Sequence, residues 1–239
     1  MAIKTGDFVE LDYVGRLKDD KVIFDTTIQE MAKTSPNYNP EYKYAPIIVC
    51  IGETHLIKGL EDSLIGKDLG KFTFEIKAEL GFGKKDAKLL KLLPLKLFTK
   101  EKIQPFVGLD VNIDDQVGIV RSVSGGRVIV DFNHPLSGKD LVYDVEVKRM
   151  VIDPIEQVKA LLEMIRIPFE NIDIMDEKAL IYMKTKLPEE ITKSMADHIK
   201  KLTKLKSVEF VDAKQDHKKK EEDKKDEKEA PKQEHSPGL

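Results

Sequence analysis

Apolar and polar positions alternate with period two in the first third of the chain. Val9, Leu11 and Tyr13 alternate with Glu10, Asp12 and Val14, and Phe72, Phe74 and Ile76 alternate with Thr73, Glu75 and Lys77. This alternation predicts strands with one buried face. Gly15, Gly52, Gly59, Gly66 and Gly70 fall between or within these runs, where they mark turns or close approaches. Leu56, Leu60 and Leu64 recur every four residues and predict one short helix between Leu56 and Ile65. A second strand block follows much later: RVIVDF at 127–132, then LVYDVEVKRM at 141–150, where Leu141, Tyr143, Val145 and Val147 share a face.

Residues 87–130 separate the two blocks. They open with KLLKLLPLKLF, dense in Leu and interleaved with Lys. Phe106, Val107 and Leu109 follow, and VNIDDQVGIVRSV then alternates like a hairpin. The pattern predicts a small β module that interrupts one domain, 1–86 plus 131–153. After Asp153 the period changes to that of a helix, with Ile155, Val158, Leu161, Leu162 and Ile165 on one stripe. Asp153 suits the N-cap and Pro154 the first helical position. NIDIM and ALIYMK read as strands, Pro188 opens a helix carrying Ile191, Met195, Ile199 and Leu202, and VEFVD closes as a strand. This order predicts a small α+β domain over 154–213, with helices on one face of an antiparallel sheet. Met183 and Met195 read as core filler. Residues 214–239 hold almost nothing apolar and read as a disordered, mixed-charge tail. His217 and His235 are too few and too far apart to make it a metal-binding tail.

Composition narrows the function classes. Among 239 residues, 40 Lys and Arg face 43 Asp and Glu, a net charge of −3. That balance supplies no field to attract nucleic acid or an anionic membrane. The single cysteine, Cys50, sits among Ile47, Ile48, Val49 and Ile51 and reads as a small buried hydrophobe. One cysteine excludes an intrachain disulfide and any multi-cysteine zinc site. The first residues lack the apolar core of a signal peptide, and no run approaches the roughly 18 apolar residues of a spanning helix. The expectation is a soluble, cytoplasmic protein. The chain has no phosphate loop, dinucleotide fingerprint, HExxH or GxSxG. His55 and His134 read as turn residues. No metal site or cofactor is expected.

What stands out is a series of aromatic and aliphatic residues at turns and strand starts: DYVGRL (12–17), FDTT (24–27), IIVCIG (47–52), HLIKGLEDSL (55–64), GFG (81–83) and NHPLSGKDLVYDVEV (133–147). In order and spacing these resemble the FKBP family of peptidyl-prolyl isomerases. The insert lies where the SlyD-like branch carries its insert-in-flap module, and NHPLSG followed by Leu-x-aromatic-x-Val-x-Val resembles that branch's re-entry. Residues 154–213 resemble the further domain of the long archaeal members.

The resemblance implies an α+β fold: an antiparallel sheet wrapped on a short helix, with an inserted β module and a C-terminal α+β domain. It implies a proline site in which Tyr13, Phe24, Asp25, Ile57 and Tyr143 take catalytic roles. Ile47, Val49, Leu56, Leu60, Phe82 and Leu136 would line the substrate, Ile47 and Leu136 being the weaker matches. Asp25, a carboxylate in an apolar setting, needs a partner, and the Tyr13 hydroxyl is the one implied. Leu60 stands where many eukaryotic members have Trp, as it does in SlyD-like members. Phe82 stands where Tyr is common, so a hydroxyl donor to substrate is missing. The implied activity is isomerisation of Xaa-Pro bonds in unfolded or nascent clients. The alternative is a catalytically weak binding chaperone or scaffold. Leu92, Leu93, Leu95, Leu97, Phe98 and Phe106 are more apolar than so small an insert easily hides, so some must build its core and the rest are expected to form a patch for unfolded chains. The small C-terminal sheet leaves two unpaired edges, and a homodimer through 154–213 is the expected way to cover them.

Overall fold

A computed structural model describes residues 2–212; the charged tail expected at 214–239 lies outside the described residues. The chain is α+β. It forms β1 (Phe8–Leu17), β2 (Ile23–Thr26), a single turn α1 (Gln29–Ala32), β3 (Ile47–Cys50), α2 (Lys58–Leu64) and β4 (Gly70–Ile76). The insert follows as β5 (Leu90–Pro94), α3 (Leu95–Lys100), β6 (Asp110–Ile113), β7 (Gln116–Ser124) and β8 (Arg127–Asp131). Then come β9 (Leu141–Met150), α4 (Pro154–Met164), β10 (Phe169–Met175), β11 (Lys178–Met183), α5 (Glu189–Leu202) and β12 (Ser207–Asp212). These elements fall into two compact units, divided inside β1 between Leu11 and Asp12 and inside β9 between Val147 and Lys148. Among the described residues, no helix is long and apolar enough to cross a membrane.

The first unit holds Asp12–Pro46 and Leu56–Val147. Its main sheet has the order β2-β1-β9-β4. β4 and β9 run antiparallel, with Phe74 opposite Tyr143 and Ile76 opposite Leu141. The alternation predicted for them holds: Leu141, Tyr143, Val145 and Val147 are buried, while Lys71, Thr73 and Glu75 are exposed. β1 departs from it. Asp12 and Val14, expected on a polar face, are buried, and the Thr27 hydroxyl donates to Asp12 Oδ1 at 2.6 Å. Both faces of β1 are largely covered, so its period blurs. The short helix α2 buries Leu60 and Leu64, and Gly59 lets it approach the sheet. A Cβ on Gly59 would lie 2.6 Å from Ile76 Cγ2.

The insert is a four-stranded antiparallel sheet, β5-β8-β7-β6, in which β6 and β7 form the predicted hairpin. Its core is Phe98, Val111, Val120, Val128 and Val130, with Leu93 and Leu95 packed against it. The helix α3, which the Leu-Lys pattern did not predict, delivers Phe98 to that core. Pro94 ends β5 and precedes the first helical residue, a place where its fixed φ suits the helix entry. Two strands enclose the insert's ends, and they are tied there. Asp86 and Asn133 exchange hydrogen bonds, Asp86 N–H to Asn133 Oδ1 at 2.8 Å and Asn133 Nδ2 to the Asp86 carbonyl at 3.0 Å.

Among the described residues, the second unit holds Lys4–Leu11, Ile47–His55 and the chain from Lys148 to Asp212. β3 pairs antiparallel with the start of β1, Phe8 opposite Cys50 and Leu11 opposite Ile47. Phe8, fully buried Cys50, Leu161, Leu162, Ile181, Met183 and Ile199 share one core, on which Met195 also packs. Asp153 caps α4, its carboxylate accepting the Ile155 N–H at 3.0 Å, and Pro154 takes the first helical position as predicted. The terminal sheet has the order β10-β11-β12. The antiparallel sheet expected here is in fact mixed. β10 and β11 are an antiparallel hairpin, but β11 and β12 are parallel. The reason is α5, which carries the chain back along the sheet before β12, the crossover that parallel neighbours need.

Candidate active site

Four aromatic rings meet at the β1–β9 end of the first unit. Tyr13 projects from β1, Phe24 from β2, Tyr143 from β9, and Phe82 from the turn after β4. Ring centroids are 5.8 Å apart for Tyr13–Tyr143, 5.8 Å for Phe24–Tyr143 and 6.0 Å for Phe24–Phe82, the last two edge-to-face. Such tilted pairs are the favoured aromatic geometry. Gly15 makes the grouping possible. Its Cβ, if present, would lie 2.8 Å from Phe24 Cζ and 3.0 Å from Tyr143 Cε1. Gly15 pairs with Asp25 across β1 and β2, and the register shifts just after it, so the strand bends where the rings need room.

The Tyr13 hydroxyl donates to Asp25 Oδ2 at 2.6 Å. Asp25 is exposed, so the carboxylate is not a buried charge awaiting rescue, as its apolar sequence neighbours implied. The bond instead fixes where the carboxylate points. Burial, reinforced by the Asp25 charge and by the donated hydrogen bond, pushes the Tyr13 phenol far above its ordinary 10.0. Burial and then the same charge push Tyr143 up as well. Both phenols therefore remain O–H donors across physiological pH.

Ile57 is the N-cap residue of α2, extended, with its carbonyl accepting from Leu60 and Glu61. Its own N–H has no acceptor among the described residues. Leu56 precedes it and donates its N–H to buried Glu61 at 3.3 Å, which fixes the entry to the helix. Leu60 is 1% exposed on the first turn. Leu136 is half-buried and donates its N–H to His134 Nδ1 at 3.2 Å. Ile47 and Val49 lie on β3 in the second unit, opposite Leu11 and Val9, and Val49 is fully buried there. Two features escaped the sequence reading. His134, read as a turn residue, stacks flat on Phe82 at 4.6 Å with a 3° tilt. A loop of three tyrosines, Tyr38, Tyr42 and Tyr44, lines a cavity beside Phe24 and Asp25.

A family model described as the FKBP26 IF domain matches residues 91–136. The chain is 35% identical over 147 residues to the short-type peptidyl-prolyl cis-trans isomerase of Methanocaldococcus jannaschii, covering 61% of this chain and 92% of that protein. The chain belongs to the FKBP-type peptidyl-prolyl cis-trans isomerase family. It is also 31% identical to the FKBP-type 16 kDa isomerase of Escherichia coli, over 46% of this chain and 75% of that one. With SlyD of Haemophilus influenzae it shares 31% identity over 43% of this chain and 56% of that protein. The family match to the insert reaches past residue 130 and takes in Asp131, Asn133 and His134, the segment that leads back from the insert to Phe82.

The raised phenols of this FKBP chain give a signed pH expectation. A group whose folded value lies above its unfolded one stabilises fully below the unfolded value and loses that contribution as pH rises. Tyr13 and Tyr143 should therefore support the fold up to about pH 10 and progressively less above it. Urea midpoints measured from pH 7 to 11 should fall above pH 10 in the parent and fall less in Tyr13→Phe. Identical slopes in the two proteins would remove Tyr13 from the account.

Proposed function

We propose that this chain catalyses cis/trans isomerisation of Xaa-Pro bonds in unfolded or nascent proteins of the cytoplasm, through an apolar pocket and without a covalent intermediate. The supporting observation is the ring group Tyr13, Phe24, Phe82 and Tyr143 beside an Asp25 carboxylate anchored by Tyr13, in a chain of this family. An Xaa-Pro bond resists rotation because the nitrogen lone pair is delocalised into the carbonyl, and the barrier is about 20 kcal/mol. At the twisted transition state that delocalisation is lost and the carbonyl is less polar. An apolar surface then competes with water better than it does in the ground state, which is catalysis by differential binding. In this reading Leu60, Phe24, Phe82 and Tyr143 hold the prolyl ring, and Leu56 and Leu136 extend the wall. Phe82 has no hydroxyl, so the hydrogen bond to the substrate carbonyl falls to the Ile57 N–H. Asp25 sets the field along which the amide twists. Exchange spectroscopy on a short Xaa-Pro peptide, with no coupled protease, should show acceleration. A rate equal to that of the peptide alone sinks the reading.

A second role, holding clients, has its own support. Leu92, Phe106, Val107 and Val117 on the insert are 55%, 61%, 67% and 68% exposed, whereas Phe98 is buried and Leu93 and Leu95 pack inward. Apolar side chains this exposed on so small a module offer a surface to other chains. Replacing 87–130 by a short linker should weaken binding of an unfolded protein and slow refolding of a proline-limited one, while short-peptide isomerisation persists. Unchanged refolding counts against the holding role.

A further inference from the structure

Between α1 and β3 the chain makes a long loop whose sequence, NYNPEYKY, carries three tyrosines. Tyr38 and Tyr44 stack at 5.9 Å with an 18° tilt, and Tyr42 leans on Tyr44 at 5.6 Å. The loop is held in shape by its own polar side chains. Ser35 Oγ donates to the Ile23 carbonyl at 2.8 Å and accepts the Asn37 N–H at 3.1 Å. Tyr44 Oη accepts the Asn39 N–H at 3.1 Å. Tyrosine rings fixed in this way offer contact area without the ordering entropy a loose loop would lose on binding. Tyr42 nonetheless leaves 60% of its surface in solvent.

The rings do not form a closed cluster. They line a cavity of about 160 Å³ whose other walls include Phe24, Asp25 and Asn37. Phe24 and Asp25 are thus shared between this cavity and the prolyl group, so a peptide seated at one runs into the other. Among the cavity's lining residues Asp25 is the one that carries a charge. One of its oxygens takes the Tyr13 hydroxyl, and a carboxylate has capacity for further donors.

We propose that the Tyr38–Tyr42–Tyr44 loop and Asp25 form a subsite for a basic side chain, Lys or Arg, of the client residue flanking the proline. The proposal rests on the isomerase reading above for the position of the prolyl ring. The chemistry selects the occupant. Aromatic faces carry negative potential and attract a cation. The methylene stem of Lys or Arg packs on the rings while its head stays near water and carboxylate. A leucine in the same place would cover Asp25 without giving it a partner, and a glutamate would face both a carboxylate and ring faces of the same sign.

The test uses the full chain and a peptide series in which Lys, Leu or Glu is placed in turn at each of the two positions before and after proline. Dissociation constants and isomerisation rates are read for each peptide, and every comparison is a ratio within one protein. At one of these positions Lys should exceed Leu by about three- to tenfold, with Glu weakest. The ratio should fall toward one in Tyr42→Leu and in Tyr38→Leu. Tyr42 is largely solvent-exposed, so its replacement keeps the fold even if Tyr38→Leu loosens the loop. No Lys preference at any position, or a preference unchanged in both variants, overturns the proposal. Preferential binding of Lys peptides without acceleration of any peptide keeps the subsite and overturns the isomerase reading instead.

Discussion

Tyr143→Ala is expected to lower isomerisation of a short Xaa-Pro peptide by about a hundredfold, the scale set by small misplacements of groups around a reacting bond. The Tyr143 ring is the common neighbour of Tyr13 and Phe24, and Phe24 in turn supports Phe82. Removing it takes away one wall and leaves two others without backing. The ring is 4% exposed, so the truncation also costs about 3–5 kcal/mol of stability. Tyr143→Phe separates the two effects, because it keeps the ring and should keep activity within a few-fold. Gly15→Ala approaches the same walls from behind. Its methyl would meet the far end of the Phe24 ring, which can swing, so the chain should fold while the pocket is distorted and the rate drops about tenfold. Leu60 is a poorer probe with a charge, since a carboxylate at a 1% exposed position threatens the fold itself; Leu60→Ala is the usable change. The measurement is exchange spectroscopy on each variant, with circular dichroism to confirm folding. A folded Tyr143→Ala chain retaining half its activity removes Tyr143 from the pocket.

Legibility in the sequence differed by kind of element. β4 and β9 were readable because each exposes one face, so period two survives; β1 was blurred because both faces are covered. Asp153-Pro154 announced α4 through local cap chemistry, which depends on nothing distant. The parallel partnership of β12 was not readable, because it depends on where α5 returns the chain and not on any pattern within VEFVD. α3 was hidden by a Leu-Lys run that fits strand and helix alike, with Pro94 as the one boundary signal. The ring group was found through the order of short motifs, DYVGRL to LVYDVEV, and not through periodicity. The tyrosine loop carries no such motif. His134 escaped because stacking on Phe82 joins two loops that are distant in sequence. The exposure of Asp25 was misread for a related reason: flanking residues in a strand point the other way and say little about its own surroundings.

Asp131→Ala is expected to destabilise the chain by about 2–3 kcal/mol and to raise amide exchange throughout β5–β8 and the 132–140 segment. Asp131 is 2% exposed at the end of β8, where the chain leaves the insert. Its carboxylate accepts from Lys85 Nζ at 2.9 Å, Arg121 Nε at 3.2 Å, the Asn133 N–H at 3.0 Å and Asn133 Nδ2 at 2.8 Å. Lys85 enters the insert, Arg121 lies inside it, and Asn133 leaves it, so one carboxylate binds all three parts. Burial alone would raise its pKa, but the hydrogen bonds from Asn133 and Lys85 outweigh that and hold it well below the ordinary 3.8. Because the folded value is depressed, the stabilisation is present in full above about pH 4 and fades as pH falls below it. Lys85 and Arg121 are 47% and 46% exposed, so water can take them over once the carboxylate is gone. The cost therefore falls short of that for a fully buried pair, and much of it comes from the Asn133 donors and the space left behind. Loss of the tie reaches the site as well, since His134 and Leu136 lie on the segment that leaves it. Urea denaturation and hydrogen exchange at pH 7 read the effect, and Asp131→Asn, which keeps the shape, should recover part of the stability. Unchanged exchange in β5–β8 with an unchanged midpoint would show that the insert is held by its strand pairing with no help from this carboxylate.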